Sequence, residues 1–263
     1  MPERRYPFAV ETVIDAGGVR LAAHVARPPS STAVVGRPGL VVCHGFPAGP
    51  KGAAASAQTY PELADRVAAD AGWTVLAFNF RGTGDSEGDF SLGGWLADLR
   101  AAVGHLLEHE GVGGVWLMGA STGGSLAICA AGEDERVRGV AALSARADFD
   151  DWAAHPRRFL DHAREIGVIR DPAFPADVEA WTRELREARP LALVAKLAPR
   201  PLLLIQGSDD DVVPSLDARA LADCHGDAEL RIIQGAGHRL RHDPRAVAVL
   251  LGWLERQDTA PST

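Results

Sequence analysis

Short apolar segments alternate with longer segments of helical periodicity along most of this chain. The segments GLVVCH, TVLAFNF, VWLMG and RPLLLIQG are almost entirely apolar. Strands of this kind are buried on both faces, as in parallel sheets that helices cover on each side. The intervening helical segments, of roughly 10–18 residues, are long enough for right-handed βαβ crossovers. The pattern predicts an α/β protein with a mostly parallel, eight-stranded sheet flanked by helices.

Two parts of the chain depart from this alternation. AVETVI and VRLAAHVA, joined by the turn DAGG, are typical of an antiparallel pair at the start of the chain. Between Asp148 and about Leu197 there is no strand pattern, only helical fragments rich in aromatic and charged residues. We interpret this stretch as a small helical cap. The predicted organisation is a core of 1–147 and 198–257, a cap of 148–197 and a disordered tail of 258–263.

The composition limits the partners of the protein. The net charge is −8 and no basic block is present, which disfavours nucleic acids and anionic membrane surfaces as ligands. Cys43, Cys129 and Cys224 are far apart in sequence, a pattern typical of reduced thiols. No run approaches the roughly 18 apolar residues of a membrane span. We expect a soluble, cytoplasmic protein without a membrane span, and the sequence leaves a homodimer open.

One serine lies in a glycine-rich turn directly after an apolar strand. The stretch WLMGASTGGSLA contains a G-x-S-x-G pattern, centred on Ser121, between the strand VWLMG and a helix. A sharp strand-to-helix turn needs small residues two positions on either side of the serine, because neighbouring backbone passes close by. The helix N-terminus also favours negative charge at this place. The alternative is a glycine-rich link without chemistry, so Ser121 becomes a candidate nucleophile only if a base accompanies it.

A base and an acid occur in two later loops. His238, in GAGH after the last strand, is the histidine best placed for general-base work, since such loops carry the chemistry of parallel sheets. His242 follows four residues later, but no carboxylate spacing supports a metal pair. Asp209, Asp210 and Asp211, after the strand LLLIQG, are candidate acids, although aspartates are also common in turns.

Two backbone amides are candidates for an oxyanion hole. The N–H of Thr122 follows the serine directly, at the start of the helix. The second donor is expected from the loop after GLVVCH, where Phe46 follows His-Gly. An alternative reading makes HGFP only a tight turn.

Four motifs then occur in the order found in one known superfamily. They are HGF at 44–46, NFRGTGDSEG at 79–88, GASTGG at 119–124, and GSDDDVVP followed by GAGH at 207–214 and 235–238. With this set, the chain resembles the α/β-hydrolase superfamily, in its esterase and serine-aminopeptidase-like branch with a short helical cap. The resemblance covers most of the chain, and it implies the α/β-hydrolase fold.

The resemblance also assigns roles to loop residues. In that superfamily the acid commonly lies three residues after the glycine and four before the proline of such a stretch, which implies Asp210. Asp211 is the second choice and Asp209 a turn residue. Arg81 and Asp85 are expected to brace their loop by hydrogen bonds rather than to contact substrate.

The implied activity is that of a serine hydrolase without a metal or organic cofactor. It would cleave a carboxylic ester or thioester of small to medium size through an acyl-enzyme on Ser121, with Asp210 and His238 as the other triad members. The expected partner is a small-molecule acyl substrate. Aromatic residues of the cap could line its pocket or only pack against the core: Phe149, Trp152, Phe159, Phe174 and Trp181.

Three other readings remain open. The same triad serves aminopeptidase-like and C–C bond hydrolases. An acyltransferase or a cofactor-free haloperoxidase-like enzyme would use it without hydrolysis. A ligand-binding receptor could keep the fold and the triad without turnover.

Overall fold

The computed structural model describes residues 9–28, 36–47, 52–55 and 58–258. Its strands are β1 (Ala9–Asp15), β2 (Arg20–Ala26), β3 (Pro38–Cys43), β4 (Thr74–Phe78), β5 (Gly114–Ala120), β6 (Val137–Leu143), β7 (Leu202–Gly207) and β8 (Glu229–Ile233). They form one eight-stranded sheet in the order β1-β2-β4-β3-β5-β6-β7-β8. β2 pairs antiparallel with β1 and with β4, and the remaining pairs are parallel. The predicted fold class, with its antiparallel first pair, is confirmed.

Helices connect the strands of the sheet. They are α1 (Tyr60–Ala71), α2 (Leu92–His109), α3 (Thr122–Glu133), α4 (Asp150–Ala154), α5 (Pro156–Glu165), α6 (Val178–Glu187), α7 (Pro190–Leu197), α8 (Ser215–His225) and α9 (Pro244–Asp258). Short 3-10 helices lie at Gly52–Ala55 and Leu240–His242. No helix within the described ranges is long and apolar enough to cross a membrane.

Local sequence explains where several of these elements begin and end. Every residue of β4 and β7 is buried, as continuous apolar runs predict. α1 ends at Gly72, whose φ of 75° is the left-handed conformation that glycine adopts without strain. α2 begins after Ser91, whose hydroxyl accepts a hydrogen bond from the N–H of Gly94 at 3.0 Å.

Helices cover the sheet on both faces. The apolar sides of α1 and α9 enclose one core, in which Val67 and Trp253 pack with Leu40 of the sheet. The second core lies on the other face, where α2, α3, α7 and α8 contribute Leu99 and Leu126 among others. Burial on both faces is what holds the short parallel strands in place.

Four helices, α4–α7, follow β6 before the chain returns to the sheet in β7. α7 packs against α3 and α8, within the helix layer over the sheet. Backbone hydrogen bonds hold the connection after α5 against the core. The N–H of Ala53 donates to the carbonyl oxygen of Ile166 at 2.8 Å, and the N–H of Phe90 donates to that of Val168 at 2.9 Å. The cap boundaries of 148–197 remain a prediction. α9 extends through Asp258, and the rest of the predicted tail, 259–263, lies outside the described residues.

The carboxyl ends of the parallel strands meet at one edge of the sheet. From β3 the chain goes to β4 on one side, and β5 then pairs with β3 on its other side. Loops that leave in opposite directions open a crevice at such a point, where α/β proteins bind ligands. The loops after β3, β5, β7 and β8 at this edge contain the predicted site residues.

Candidate active site

Ser121 lies between β5, which ends at Ala120, and α3, which begins at Thr122. Its φ of 52° and ψ of −124° are a conformation that residues with a Cβ rarely adopt. Within the described ranges, Ser121 and Ser144 are the two non-glycine residues with positive φ. A strained backbone persists only where surrounding packing imposes it. The fold therefore holds Ser121 on the turn itself, at the edge of the sheet.

Glycines let this turn lie against neighbouring backbone. A Cβ on Gly119 would lie 2.3 Å from the carbonyl oxygen of Gly123, and a Cβ on Gly123 would lie 2.3 Å from the carbonyl oxygen of His44. A Cβ on Gly45 would lie 2.9 Å from the carbonyl oxygen of Ala120. Side chains are excluded at these three positions. The HGF loop after β3 is thus in direct backbone contact with the serine turn.

Among the N–H groups in these loops that have no hydrogen-bond acceptor among the described residues, two correspond to the predicted oxyanion donors. One belongs to Thr122, the first residue of α3, which has no partner within its helix. The other belongs to Phe46, directly after Gly45. Free N–H groups and a helix N-terminus favour negative charge beside them. The junction can therefore stabilise an anionic oxygen next to Ser121.

Asp210 and His238 meet where the loops after β7 and β8 come together. The ring Nδ1 of His238 lies 3.0 Å from each carboxylate oxygen of Asp210. The N–H groups of Val212 and Val213 donate to Oδ1 at 3.0 and 2.9 Å. The side-chain amide of Gln206 donates to Oδ2 at 3.0 Å. The carboxylate is thus surrounded by donors, with its side chain only 1% exposed against 22% for His238.

These contacts decide the charge of Asp210. Burial by itself would raise its pKa. Hydrogen bonds from His238, from the backbone of Val213 and Val212 and from the side chain of Ser144 outweigh burial and hold the pKa well below its usual range. Asp210 is therefore ionised at neutral pH. An ionised carboxylate at Nδ1 keeps the proton of a neutral imidazole on that nitrogen, which leaves the lone pair on Nε2. His238 can then accept a proton at Nε2.

The other two candidate acids lie apart from His238. Asp209 is exposed and accepts a hydrogen bond from the hydroxyl of Ser208 at 2.6 Å. Asp211 is exposed, and its side chain has no hydrogen bond to any described residue. Of the three aspartates, the fold brings to the histidine Asp210, the residue that the resemblance implied.

The Ser121 hydroxyl has no hydrogen bond to any described residue, His238 included. Both side chains are half-buried at the same sheet edge. In ligand-free enzymes the bond between nucleophile and base is often long and tightens when substrate binds. The structure therefore brings Asp210 and His238 together, and the Ser121 hydroxyl has no hydrogen-bond partner among the described residues.

His44 was not singled out from the sequence beyond its place in the HGF motif. Its Nδ1 lies 2.8 Å from the carbonyl oxygen of Gly45, and its Nε2 accepts from the N–H of Phe80 at 3.2 Å. Full burial lowers the pKa of His44 to about 4, so that its ring is neutral. His44 thereby fixes the loop that carries Phe46. The motif itself was the one available signal for this role.

The loop after β4 is braced by one of its two predicted residues. Arg81 donates to Asp98 from its backbone N–H at 2.8 Å and from its guanidinium at 2.6 Å, and Asp98 is fully buried. Asp85 is exposed and makes no hydrogen bond within the described part of the chain. The bracing is therefore observed for Arg81, whereas for Asp85 it stays a prediction.

The aromatic residues of the predicted cap form a cluster on Phe46. Phe149, Phe159 and Trp181 are buried, whereas Trp152 is half-buried. The ring centroids of Trp152 and Phe159 lie 4.1 Å apart, and each is about 5 Å from that of Phe46, at 5.1 and 5.2 Å. Phe174 is half-buried against the same core. Packing is therefore the observed role of most of these residues.

Two cavities are lined by residues of the candidate site or of the predicted substrate pocket. One, of about 580 Å³, is lined by Trp152 and Phe159 together with histidine and charged side chains of the cap. The other, of about 610 Å³, is lined by His238, Val212 and Arg239 among others. Both volumes fall in the range of small-molecule sites. Within the described ranges, no three His, Cys, Asp or Glu side chains gather where they could hold a metal ion.

Solved structures with the same architecture include several esterases. Est1E from Butyrivibrio proteoclasticus, in its structure with bound ferulic acid, is 22% identical, with a TM-score of 0.69 over 94% of this chain and 97% of that chain. An esterase from Pyrococcus furiosus is 18% identical, with a TM-score of 0.69 over 99% and 97%. The esterase domain of a Rhodothermus marinus protein is 23% identical, with a TM-score of 0.66 over 94% and 98%. At these identities the likeness shows the fold.

Sequence comparison adds a relative and a family. Over 144 residues the chain is 26% identical to Escherichia coli O157:H7 YfhR, a protein described as uncharacterized. That match covers 54% of this chain and 44% of YfhR, so it spans less than half the length of the relative. The model of the alpha/beta hydrolase family matches residues 40–250. The chain belongs to the α/β hydrolase family.

Proposed function

We propose that the protein is a serine hydrolase that cleaves a carboxylic ester or thioester through an acyl-enzyme on Ser121. The observation that carries the proposal is the buried, ionised Asp210 on Nδ1 of His238, at the sheet edge that also holds the strained Ser121 turn. A serine hydroxyl is a weak nucleophile at neutral pH and needs a base that a third group orients. The structural likeness to esterases supports this choice of reaction.

The first half of the reaction acylates the enzyme. Ser121 Oγ attacks the acyl carbonyl carbon while His238 Nε2 takes the hydroxyl proton. The carbonyl oxygen becomes an oxyanion, which accepts hydrogen bonds from the N–H groups of Phe46 and Thr122. Asp210 stabilises the imidazolium through Nδ1–H. His238 then gives its proton to the departing oxygen or sulfur, and the alcohol or thiol leaves.

The second half returns the enzyme to its starting state. His238 removes a proton from a water molecule, and the resulting hydroxide attacks the acyl carbon of the Ser121 ester. The same two N–H groups bind the second oxyanion. His238 returns the proton to Ser121 Oγ, the acyl bond to Oγ breaks, and the carboxylic acid leaves. No step needs a group beyond substrate and water.

The helical segment after β6 is proposed to hold the acyl part of the substrate. Trp152 and Phe159 contact the ring of Phe46, whose N–H is a proposed oxyanion donor, and they line a cavity of about 580 Å³. The rings of Trp152 and Phe159 offer apolar contact to an acyl chain of small to medium size, and the other residues that line this cavity are charged side chains and histidines. Substitution of Trp152 by alanine should change the relative rates on short and longer acyl esters.

A covalent probe tests the proposed nucleophile. A fluorophosphonate should label the wild-type protein, and mass spectrometry should place the label on the peptide that contains Ser121. Ser121→Ala should lose both the label and the hydrolysis of p-nitrophenyl esters. Ser215→Ala is the matched control and should keep both, since Ser215 is the first residue of α8 and its hydroxyl makes no recorded hydrogen bond among the described residues.

Two results would contradict the proposal. One is labelling of Ser121→Ala at the wild-type rate. The other is turnover of ester by that variant at near the wild-type rate. A panel of p-nitrophenyl esters, aminoacyl amides and acyl thioesters then identifies the class of acyl substrate.

A further inference from the structure

The side chain of Gln206 lies at the end of β7, beneath the loop that carries Asp210. It is fully buried, with an exposed fraction of 0%. Its Nε2 lies 3.0 Å from Oδ2 of Asp210 and 3.0 Å from the carbonyl oxygen of Val213. Both partners are acceptors, so the NH2 end of the amide must face them. One side chain thus links the carboxylate to the backbone of its own loop.

The oxygen of the Gln206 amide makes no recorded hydrogen bond within the described ranges. Oε1 of Gln206 is buried and has no hydrogen-bond partner among the described residues. A buried amide oxygen without a donor destabilises the folded protein, and an apolar side chain of similar length would avoid that loss. Packing alone therefore does not account for glutamine here. Its two donors are the feature that an apolar residue could not supply.

The two carboxylate oxygens of Asp210 accept hydrogen bonds from different donors besides His238. Oδ1 accepts from the N–H groups of Val212 and Val213. Oδ2 accepts from the amide of Gln206 and faces Nδ1 of His238. The side chain of Ser144 also lies close enough to help lower the pKa of Asp210. Without Gln206 the carboxylate could rotate about its Oδ1 contacts. Its position relative to Nδ1 of His238 would then be held by fewer hydrogen bonds.

We infer that Gln206 is a positioning residue that holds Asp210 against His238 by its hydrogen bond to Oδ2. This inference rests on the proposed function, in which Asp210 orients the base. Gln206 is enclosed between β7 and its loop, so it acts through Asp210 and does not contact substrate. Loss of the amide should therefore lower kcat and leave KM nearly unchanged.

The first test replaces the amide by an apolar chain of similar length. In Gln206→Met we expect kcat on a p-nitrophenyl ester to fall by about tenfold, the equivalent of roughly 1.4 kcal/mol, with KM within twofold of wild type. His225→Leu is the matched control. His225 is also buried and bonds backbone through its ring, to Arg200 at 3.1 Å, but it lies at the far end of α8. It should lose stability without a comparable loss of kcat.

The second test keeps the shape of the side chain. In Gln206→Glu a protonated carboxyl can donate to Asp210 as the amide does, but an ionised one would stand beside a second carboxylate. We expect near wild-type activity at the low end of the working pH range. A new descending limb should appear as pH rises and Glu ionises, and it should be absent from wild type and Gln206→Met. A merely structural role would not create this limb.

A third measurement does not depend on turnover. The proton on Nδ1 of His238, bonded to a carboxylate, should give a low-field NMR resonance that His238→Gln lacks. We expect Gln206→Met to shift or broaden it and His225→Leu to leave it unchanged. If the proposed function is wrong, Ser121 remains unlabelled while this NMR difference still appears.

Defined results would overturn the inference. They are an unchanged resonance and unchanged kcat in Gln206→Met, or a pH profile of Gln206→Glu that coincides with wild type. An equal loss of kcat in His225→Leu would also overturn it. Should Gln206→Met fail to fold, the pH profile and spectrum of Gln206→Glu decide.

Discussion

The strained turn at Ser121 makes an unusual prediction about stability. Ser121→Gly should be more stable than Ser121→Ala, although both variants lack the hydroxyl. Serine and alanine each carry a Cβ, which is unfavourable at a φ of 52° and a ψ of −124°, whereas glycine adopts positive φ freely. The comparison of the two variants therefore isolates the conformational strain from the loss of the hydroxyl.

The expected difference is about 1 kcal/mol in the free energy of unfolding. Strain of this kind is of the order of 1–3 kcal/mol. Glycine offsets part of the relief, because it adds about 0.4–1 kcal/mol of chain entropy to the unfolded state. For a chain of this size, about 1 kcal/mol corresponds to a rise in Tm of roughly 2–4 °C. Urea denaturation followed by tryptophan fluorescence, with thermal scans beside it, measures both quantities.

A matched pair in the adjoining helix provides the control. Ser125 lies inside α3, four residues beyond Ser121. There the order must reverse, with Ser125→Gly less stable than Ser125→Ala by about 1 kcal/mol, because glycine is unfavourable within helices. If Ser121→Gly is no more stable than Ser121→Ala, the turn is not strained and the backbone argument for its function is wrong.

Three further predictions concern the acid and the glycines. Asp210→Asn should lower kcat on a p-nitrophenyl ester by about 10⁴-fold, by analogy with a triad acid elsewhere, whereas Asp211→Asn should stay within twofold. Similar losses in the two variants would refute the choice of acid. Because the pKa of Asp210 is lowered in the folded protein, its ionised form stabilises the fold at pH values above the unfolded pKa, about 3.9. This stabilisation is lost as the pH falls toward the folded pKa, so the difference in free energy of unfolding between wild type and Asp210→Asn should narrow below about pH 4 in urea denaturation. A difference that does not change with pH would contradict this linkage. Gly123→Ala should destabilise the protein by about 1–3 kcal/mol or more, because the added Cβ would lie 2.3 Å from the carbonyl oxygen of His44. Gly104→Ala is the control: position 104 lies on α2 with open space around it, so alanine should stabilise the protein in the same thermal scans.

The aromatic cluster connects the proposed chemistry to the helical segment. Phe46 contributes a backbone N–H on one side and a ring on the other, and the ring contacts Trp152 and Phe159. Changes in the packing of these rings can therefore reach the proposed oxyanion site through Phe46. The backbone hydrogen bonds that tie the connection after α5 to Ala53 and Phe90 hold this cluster in place.

Much of the architecture can be predicted from the sequence, because it depends on the local pattern of apolar and polar residues. Apolar runs such as GLVVCH and RPLLLIQG predict strands buried on both faces, and the helices between them predict parallel pairing. The glycines around Ser121 predict a tight turn, since the backbone conformation of a turn depends on the residues within it. The motifs in order indicated the family, and they placed the candidate site at the carboxyl edge of the sheet.

What the sequence could not determine depends on contacts between distant segments. The residue pattern alone does not separate Asp209, Asp210 and Asp211, although the family resemblance implied Asp210. The contact itself arises only where the loops after β7 and β8 meet and bring Asp210 to His238. Whether the aromatic residues of the helical segment pack or line a cavity depended likewise on the position of Phe46, more than a hundred residues earlier in the chain. Gln206 carries no local signal at all, because a glutamine at the end of a strand acquires its role from the carboxylate that the fold places 3.0 Å away.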